Sequence, residues 1–445
     1  LEWDKKQPES EFDYRDKTEN QNRPYVTFEM GQWCAFPNFD ETNKYTGSLK
    51  ALNFELFRED LNDNHMGDQA HDFLMASGKL QASCYKQEIE ATLRTSNLAG
   101  FQLLSLNDFS GQGTALVGVL DACWDEKGYI TAKEFRQFCN EVVPLVRLPK
   151  YTFSNVEQLD VTVEVANFSG KILKNTISEW RLLAIDSSVL MSGKLSTADI
   201  PVGHGQVVGK INTSLESVTK AQKLILEVQT GEYTNSWNIW VYPALSECMS
   251  VNNLHIATTL DDKAKQILKE GGKVLLMAAG NIENGKDIVQ NYTPVFWNTS
   301  WFRMRPPHTT GLLIDDKHPV FDQFPTDYYS DLQWWELVNR QQVMNLENFP
   351  PEFKPIVQPI DTWFLNRRLA MLFEAKVGEG RLMVCSIDLN KGTSGIVSKQ
   401  FHLSLLSYLT SEDFKPENEI ELSTIEELFE EKQRGTWHSY VNDNP

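Results

Sequence analysis

The chain is poor in cysteine, with six in 445 residues. Cys34, Cys84, Cys123, Cys139, Cys248 and Cys385 form no Cys-x-x-Cys pair. Neither a dense disulfide scaffold nor a zinc site is indicated. No apolar run reaches the roughly 20 residues that a membrane-spanning helix needs. Basic residues are outnumbered, 42 Lys and Arg against 61 Asp and Glu, for a formal net charge of -19. A surface of that sign repels phosphate backbones, which argues against a nucleic-acid partner. Long internal repeats and low-complexity tracts are also missing. The first residues, Leu1-Glu2-Trp3, include no initiator Met and read as a cut or mature terminus.

Apolar residues are plentiful: 41% of the chain is hydrophobic and 11% aromatic, with 12 Trp. At this length two to four domains are expected. Residues 1–23 are polar and charged, and read as a loop or tail. Residues 24–150 alternate strand and helix. A β-prone run from Pro24 to Phe28 is followed by helical stretches carrying Leu52, Leu56 and Phe57 on one face, then Phe73, Leu74, Ile89 and Leu93 in further segments. A second strand spans Ala99 to Leu106, and a helix is predicted around Ala132 to Val143. From about 151 to 245 the period becomes alternating, as in Leu159-Asp-Val-Thr-Val-Glu-Val165, and predicts an immunoglobulin-like β-sandwich. Residues 250–415 return to α/β, with buried strands at Lys273–Met277 and Arg381–Ile387 and a helix from Val397 to Leu409. The remainder, 416–445, is an acidic tail whose Ser423-Thr-Ile-Glu426 reads as a capping box opening a short helix.

Chemistry concentrates where two strands end. The first delivers Glu29 to Gly31 within Pro24–Pro37, PYVTFEMGQWCAFP. The second runs into Asn107, Asp108 and Gly111-Gln112-Gly113, a tight turn too short for a nucleotide fingerprint. In α/β barrels the reacting groups sit where strands end and the following loops begin. Asp60-Leu-Asn62-Asp-Asn64 is no calcium loop, because His65 stands where glycine is required.

Phe28-Glu-Met-Gly-Gln-Trp33, Lys44-Tyr-Thr-Gly47, Tyr85-Lys-Gln-Glu-Ile-Glu90 and, above all, the long run from Gly100 to Gly118 carry a family likeness. The segment from Tyr25 to about Lys150 resembles the last part of the catalytic barrel of glycoside hydrolase family 2, the β-galactosidases, β-glucuronidases and relatives. More closely, it resembles the large multidomain family 2 proteins of Bacteroidetes. Val295-Phe-Trp-Asn298, His318-Pro319, Phe324-Pro-Thr326 and Gln333-Trp-Trp335 make the region after Asn253 similar to amidotransferase-like accessory domains.

The resemblance implies a fold of three parts. These are the last two βα units of a (β/α)8 barrel, an immunoglobulin-like sandwich, and a flavodoxin- or amidotransferase-like α/β domain. It implies a retaining exo-β-glycosidase hydrolysing O-glycosyl bonds of an oligo- or polysaccharide, without cofactor or metal. Glu29 would be the nucleophile, and Asn107, Asp108, Gln32 and Trp33 would contact the sugar. The acid/base carboxyl would lie on an earlier barrel strand, in an N-terminal segment of the same enzyme absent from this chain. The setting implied is periplasmic or extracellular, and oligomerisation is open.

Retaining hydrolysis needs two carboxyls about 5 to 5.5 Å apart, one attacking and one cycling as acid and base. Glu29 also reads as an ordinary strand-end surface carboxylate. Asn107 and Asp108 read equally as turn residues. Trp33 and Phe36 could stack on a sugar or simply be buried. The aromatics Trp297, Trp301, Phe302, Trp334, Trp335 and Trp363 read as packing before they read as a sugar platform. Cys385 lies inside an apolar strand, so an amidotransferase thiol site is not expected. The alternative function is a non-catalytic carbohydrate-binding or assembly protein with a repurposed barrel remnant.

Overall fold

The computed structural model describes residues 1–20, 22–109, 115–244, 251–297, 305–389 and 395–431. Its helices are α1 (Arg15–Thr18), α2 (Leu52–Asp63), α3 (Ala70–Arg94), α4 (Ala132–Phe138), α5 (Asp262–Lys269), α6 (Trp334–Val338), α7 (Ile396–Thr410) and α8 (Leu422–Glu426). The architecture is mixed α/β with several sheets, and among the described residues no sheet closes into a barrel. The chain divides into two compact units built from interleaved segments. One holds residues 1–32, 82–106 and 130–246; the other holds 33–81, 107–129 and 247–445. Helix α3 gives its first half to the latter and its second half to the former.

The first unit holds twelve strands: β1 (Tyr25–Met30), β2 (Leu98–Leu103), β3 (Val142–Arg147), β4 (Thr152–Ser154), β5 (Gln158–Asn167), β6 (Leu173–Thr176), β7 (Ser178–Ala184), β8 (Val189–Lys194), β9 (Ala198–Ile200), β10 (Gly203–Ser214), β11 (Gln222–Thr230) and β12 (Tyr233–Tyr242). β1 and β2 pair in parallel as a sheet of two. The alternating stretch forms a three-stranded sheet, β10-β5-β3, and a five-stranded sheet, β4-β12-β11-β7-β8. Its period-two pattern is visible in β11, where Leu224, Leu226 and Val228 are buried while the residues between them are only partly covered. The helix predicted to reach Val143 ends at Phe138. Val142 to Arg147 is instead a strand of β-branched and apolar residues paired with β5. α4 opens on a capping box that the sequence reading missed, in which Thr131 and Glu134 satisfy each other's backbone N–H groups.

Buried ions fix the second half of α3 in this unit. Glu90 is fully buried and accepts from Lys86 Nζ at 2.6 Å, Asn235 Nδ2 at 2.8 Å and Trp237 Nε1 at 3.0 Å. Arg94 lies 3.6 Å from the same carboxylate. Residues 1–20 are largely without regular structure yet held down. Ser10 Oγ donates to Val146 O at 2.9 Å, and Trp3 is buried.

The second unit holds β13 (Leu254–Ala257), β14 (Lys273–Met277), β15 (Thr309–Ile314), β16 (Met344–Asn345), β17 (Val357–Asp361), β18 (Leu369–Ala370), β19 (Leu372–Val377) and β20 (Gly380–Cys385). Six of them form a sheet ordered β13-β14-β20-β19-β17-β15. β13, β14 and β20 are parallel, and the other three run antiparallel to their neighbours. The unbroken apolar run of β14 follows from burial on both faces, with Val274, Leu275 and Leu276 fully covered. α5 begins at Asp261, whose side chain accepts from Ala264 N, and Gly271 leaves it in the left-handed region at φ 82°. Ser423 does not cap α8: Glu421 precedes that helix without a side-chain cap. Ile420, Ile425 and Leu428 of the acidic C-terminal stretch pack into the core with Phe349, Phe353 and Phe373.

α2 buries Phe54 and Leu61, whereas Leu52 and Leu56, expected on its inner face, are exposed. Phe73, Leu74, Ile89 and Leu93 share one 25-residue helix, α3, rather than separate segments. Trp334 is buried against Phe321, Phe324 and Phe401, with ring centroids 5.7 to 6.1 Å away. Trp363 is also buried. Trp301 and Phe302 lie outside the described residues, as do Gly111 to Gly113 and Cys248.

Candidate functional site

β1 carries Glu29 to its C-terminal end. The parallel register with β2 runs Val26↔Gly100 and Thr27↔Phe101, then slips before Met30↔Leu103. Glu29 sits in that slip at φ 54°, in the left-handed region that a residue with a Cβ seldom adopts. Holding it there costs roughly 1–2 kcal/mol. Several contacts offset that cost. Gln32 Nε2 donates to Glu29 O at 2.8 Å, and Gly31 N–H donates to Glu88 Oε2 at 3.2 Å. Tyr85 OH donates to Gly31 O and to Ser105 O, each at 3.2 Å. Gly31 itself has φ 80°, and a Cβ there would collide with the Tyr85 ring. The Glu29 side chain is half-exposed, and among the described residues it makes no hydrogen bond or ion pair.

β1 is unusually bare. Tyr25 is 45% exposed, Val26 52% and Phe28 71%. Parallel strands are ordinarily covered on both faces. Here two of them form a whole sheet, and its outer edges carry no further strand among the described residues.

The other sugar-contact candidates belong to the second unit. Trp33 is half-buried, forms a backbone bridge to Phe296, and meets its ring edge-on at 5.8 Å. Phe36 is buried against Phe39 and Phe73 and offers no face to a ligand. Asn107 is half-buried, and its Nδ2 donates to Asp108 O at 3.0 Å. Asp108 is 4% exposed, and both of its oxygens are engaged. Oδ1 accepts Gly118 N–H at 2.9 Å, and Oδ2 lies 2.6 Å from Lys127 Nζ. Lys127 also donates to Gly118 O at 2.8 Å, as does Tyr129 OH at 3.0 Å. Gly118 is required, because a Cβ would overlap the backbone of Asn107 and Asp108. Burial pushes the Asp108 carboxyl up to about 6, against the opposing pull of Lys127.

Glu29 and Gln32 thus lie together in the first unit, and Trp33, Asn107 and Asp108 lie in the second. The sequence reading missed Lys127. Its signal is faint: one lysine before Gly128, itself at φ 96°, in an acidic loop. Glu41 was also missed. It is 1% exposed and accepts from Tyr45 OH at 2.8 Å, and burial raises its pKa. Cys385 is fully buried, and that burial pushes its thiol up to about 12, so it is no nucleophile. Arg367 is committed to Asp361 through two hydrogen bonds, and Arg368 to the carbonyls of Phe349, Pro350 and Phe353. Among the described residues no group of His, Cys, Asp and Glu could hold a metal ion, and no helix is long and apolar enough to cross a membrane.

Two family models match the chain. Domain of unknown function DUF8487 matches residues 255–430, and domain of unknown function DUF8488 matches residues 157–243. No curated protein matches it. Among solved structures, it is similar to a Paenibacillus sp. cycloisomaltooligosaccharide glucanotransferase at 10% identity and a TM-score of 0.19, over 32% of this chain and 20% of that one. A Parabacteroides merdae β-glucuronidase is similar at 14% identity and a TM-score of 0.17, over 32% and 22%. The Pseudomonas fluorescens alkylpurine DNA glycosylase AlkC is similar at 11% identity and a TM-score of 0.19, over 41% and 54%. The chain spans about a fifth of the first two structures and about half of the third. Likenesses this faint, two to carbohydrate-active enzymes and one to a DNA-repair enzyme, decide nothing about function.

Proposed function

We propose that this chain is part of a retaining β-glycosidase resembling glycoside hydrolase family 2, with Glu29 as the nucleophile. The observation that carries the reading is the placement of Glu29. It stands half-exposed and conformationally strained at the end of the first of two parallel strands, and strain in a sparsely populated backbone region accumulates at functional sites. The bare faces and unpaired edges of β1 and β2 support the second half of the proposal. These two strands are the closing βα units of a barrel whose other strands, with the acid/base carboxyl, come from a further segment of the same enzyme. On this reading the alternating region is an immunoglobulin-like sandwich, the C-terminal α/β region is accessory, and the enzyme works in the periplasm or outside the cell.

In the complete site Glu29 attacks the anomeric carbon, and a second carboxyl protonates the leaving oxygen. Water then releases the sugar as that carboxyl takes the proton back. Gln32 positions the Glu29 backbone rather than the sugar. Asp108 acts through its ion pair, holding the loop after β2 in shape.

One observation favours the rival reading, a barrel remnant turned to carbohydrate binding or assembly. A nucleophilic carboxylate must be held in line with the anomeric carbon, and among the described residues no cation or hydrogen-bond donor orients the Glu29 side chain. Assay of the complete gene product on aryl β-glycosides separates the two. The glycosidase reading expects turnover that falls more than about 1000-fold, about 4 kcal/mol, in Glu29→Gln. Binding of saccharide without turnover in the complete product is the rival's result.

A further inference from the structure

A cleft of about 680 Å³ opens in the second unit, within the range of small-molecule sites. Three of its lining side chains, His318, Glu374 and Tyr408, stand together. Val320 N–H donates to His318 Nδ1 at 3.2 Å, which leaves the ring proton on Nε2. That nitrogen lies 3.6 Å from Glu374 Oε1, and Tyr408 OH donates to Glu374 Oε2 at 2.7 Å. The Tyr408 ring packs edge-on against His318 at 5.1 Å and against Phe414 at 5.5 Å. Glu374, on β19, is therefore oriented by the Tyr408 hydroxyl with His318 beside it, and has no Lys or Arg partner among the described residues.

Around it the cleft is lined by Tyr328 and the exposed amide of Asn418, groups that suit hydroxyls, whereas the Gln358 amide is buried and paired with Gln69. It also carries more negative than positive charge: six carboxylates and two lysines line it. One of the lysines, Lys354, is already bound to Asp68. Asp315, Asp413 and Glu417 have no cation partner among the described residues. A ligand carrying its own positive charge would relieve that imbalance, and an anionic one would worsen it.

We propose that this cleft binds an amino sugar, its ammonium group on the Glu374 carboxylate and its hydroxyls on Asn418 and Tyr328. The inference takes only the ligand class, a saccharide, from the reading above; the site is separate from Glu29.

Calorimetric titration of the full chain with glucosamine, glucose and glucuronate tests it, since the three share a ring and differ in charge. Saturable one-to-one binding of glucosamine is expected, with glucose about tenfold weaker and glucuronate weaker still. Glu374→Gln should lose about tenfold for glucosamine, and Tyr408→Phe, which keeps the carboxylate but frees it, should lose less. Asp160→Asn, removing an exposed charge on β5, should change nothing and so controls for net charge. No saturable glucosamine binding, equal binding of the three sugars, or unchanged binding in a folded Glu374→Gln chain would each overturn the proposal. None of these outcomes bears on hydrolysis at Glu29, so the two readings fail separately.

Discussion

Lys127 Nζ lies 2.6 Å from Asp108 Oδ2, with both side chains almost wholly out of water. The pair turns a residue that reads as a sugar contact into a brace for its own loop. Cutting it should be costly. Lys127→Met leaves an unpaired buried carboxylate, which typically destabilises by about 3–5 kcal/mol near neutral pH. Urea unfolding checks this, and the loss should shrink at pH 5 as Asp108 takes up a proton.

The same carboxyl gives stability a pH dependence. Its folded pKa, about 6, lies above its ordinary value of 3.8, so the folded chain holds the proton more tightly than the unfolded chain does. Its contribution is therefore full below about pH 4 and is lost as the pH rises to about 6. Comparing unfolding free energies across that window for the native chain and Asp108→Asn isolates the slope, which should be flatter in the variant.

Glu90 should prove the most sensitive single position in the first unit. Glu90→Leu takes the carboxylate from buried Arg94 and half-buried Lys86, and leaves Trp237 Nε1 without its acceptor. A loss of about 3–5 kcal/mol is expected. Thermal unfolding measures it, and a loss below about 1 kcal/mol would show that the network is not needed.

Backbone strain at the end of β1 predicts an opposite pair of effects. Glu29→Gly removes the Cβ from a left-handed residue and should stabilise the chain by about 1 kcal/mol, provided the carboxylate adds no folded-state contact. Gly31→Ala should destabilise, because its Cβ meets the Tyr85 ring at φ 80°. Melting curves of the two variants should move in opposite directions.

Much of the fold was legible in the sequence. The helical run from Asp261 to Glu270, ended by Gly271, matches α5, where Asp261 proves to be the N-cap, and the unbroken apolar run of β14 marks a strand covered on both faces. Alternation foretold β5, β11 and β12. Errors came where local signals competed. Val142 continues the helical spacing of Phe135 and Phe138, yet pairing with β5 claims it for a strand. Ser423 has the spacing of a capping residue but falls inside α8. Leu52 and Leu56 keep helical spacing on the outer face of α2, where periodicity alone cannot say which side is covered.

The candidate site was legible in part. Glu29 was located by its strand and the glycine after it. The commitment of Asp108 to Lys127 was hidden, because the two lie nineteen positions apart and only the fold of an acidic loop joins them. The His318–Glu374–Tyr408 cluster joins three distant segments and leaves no local motif.

The most direct measurement is covalent trapping of the complete gene product with a 2-deoxy-2-fluoro aryl β-glycoside, followed by peptide mass mapping. The double-displacement account expects one glycosyl group per chain on the peptide containing Glu29, and none in Glu29→Gln. A glycosyl group on another carboxylate, while Glu29→Gln still turns over, would contradict it.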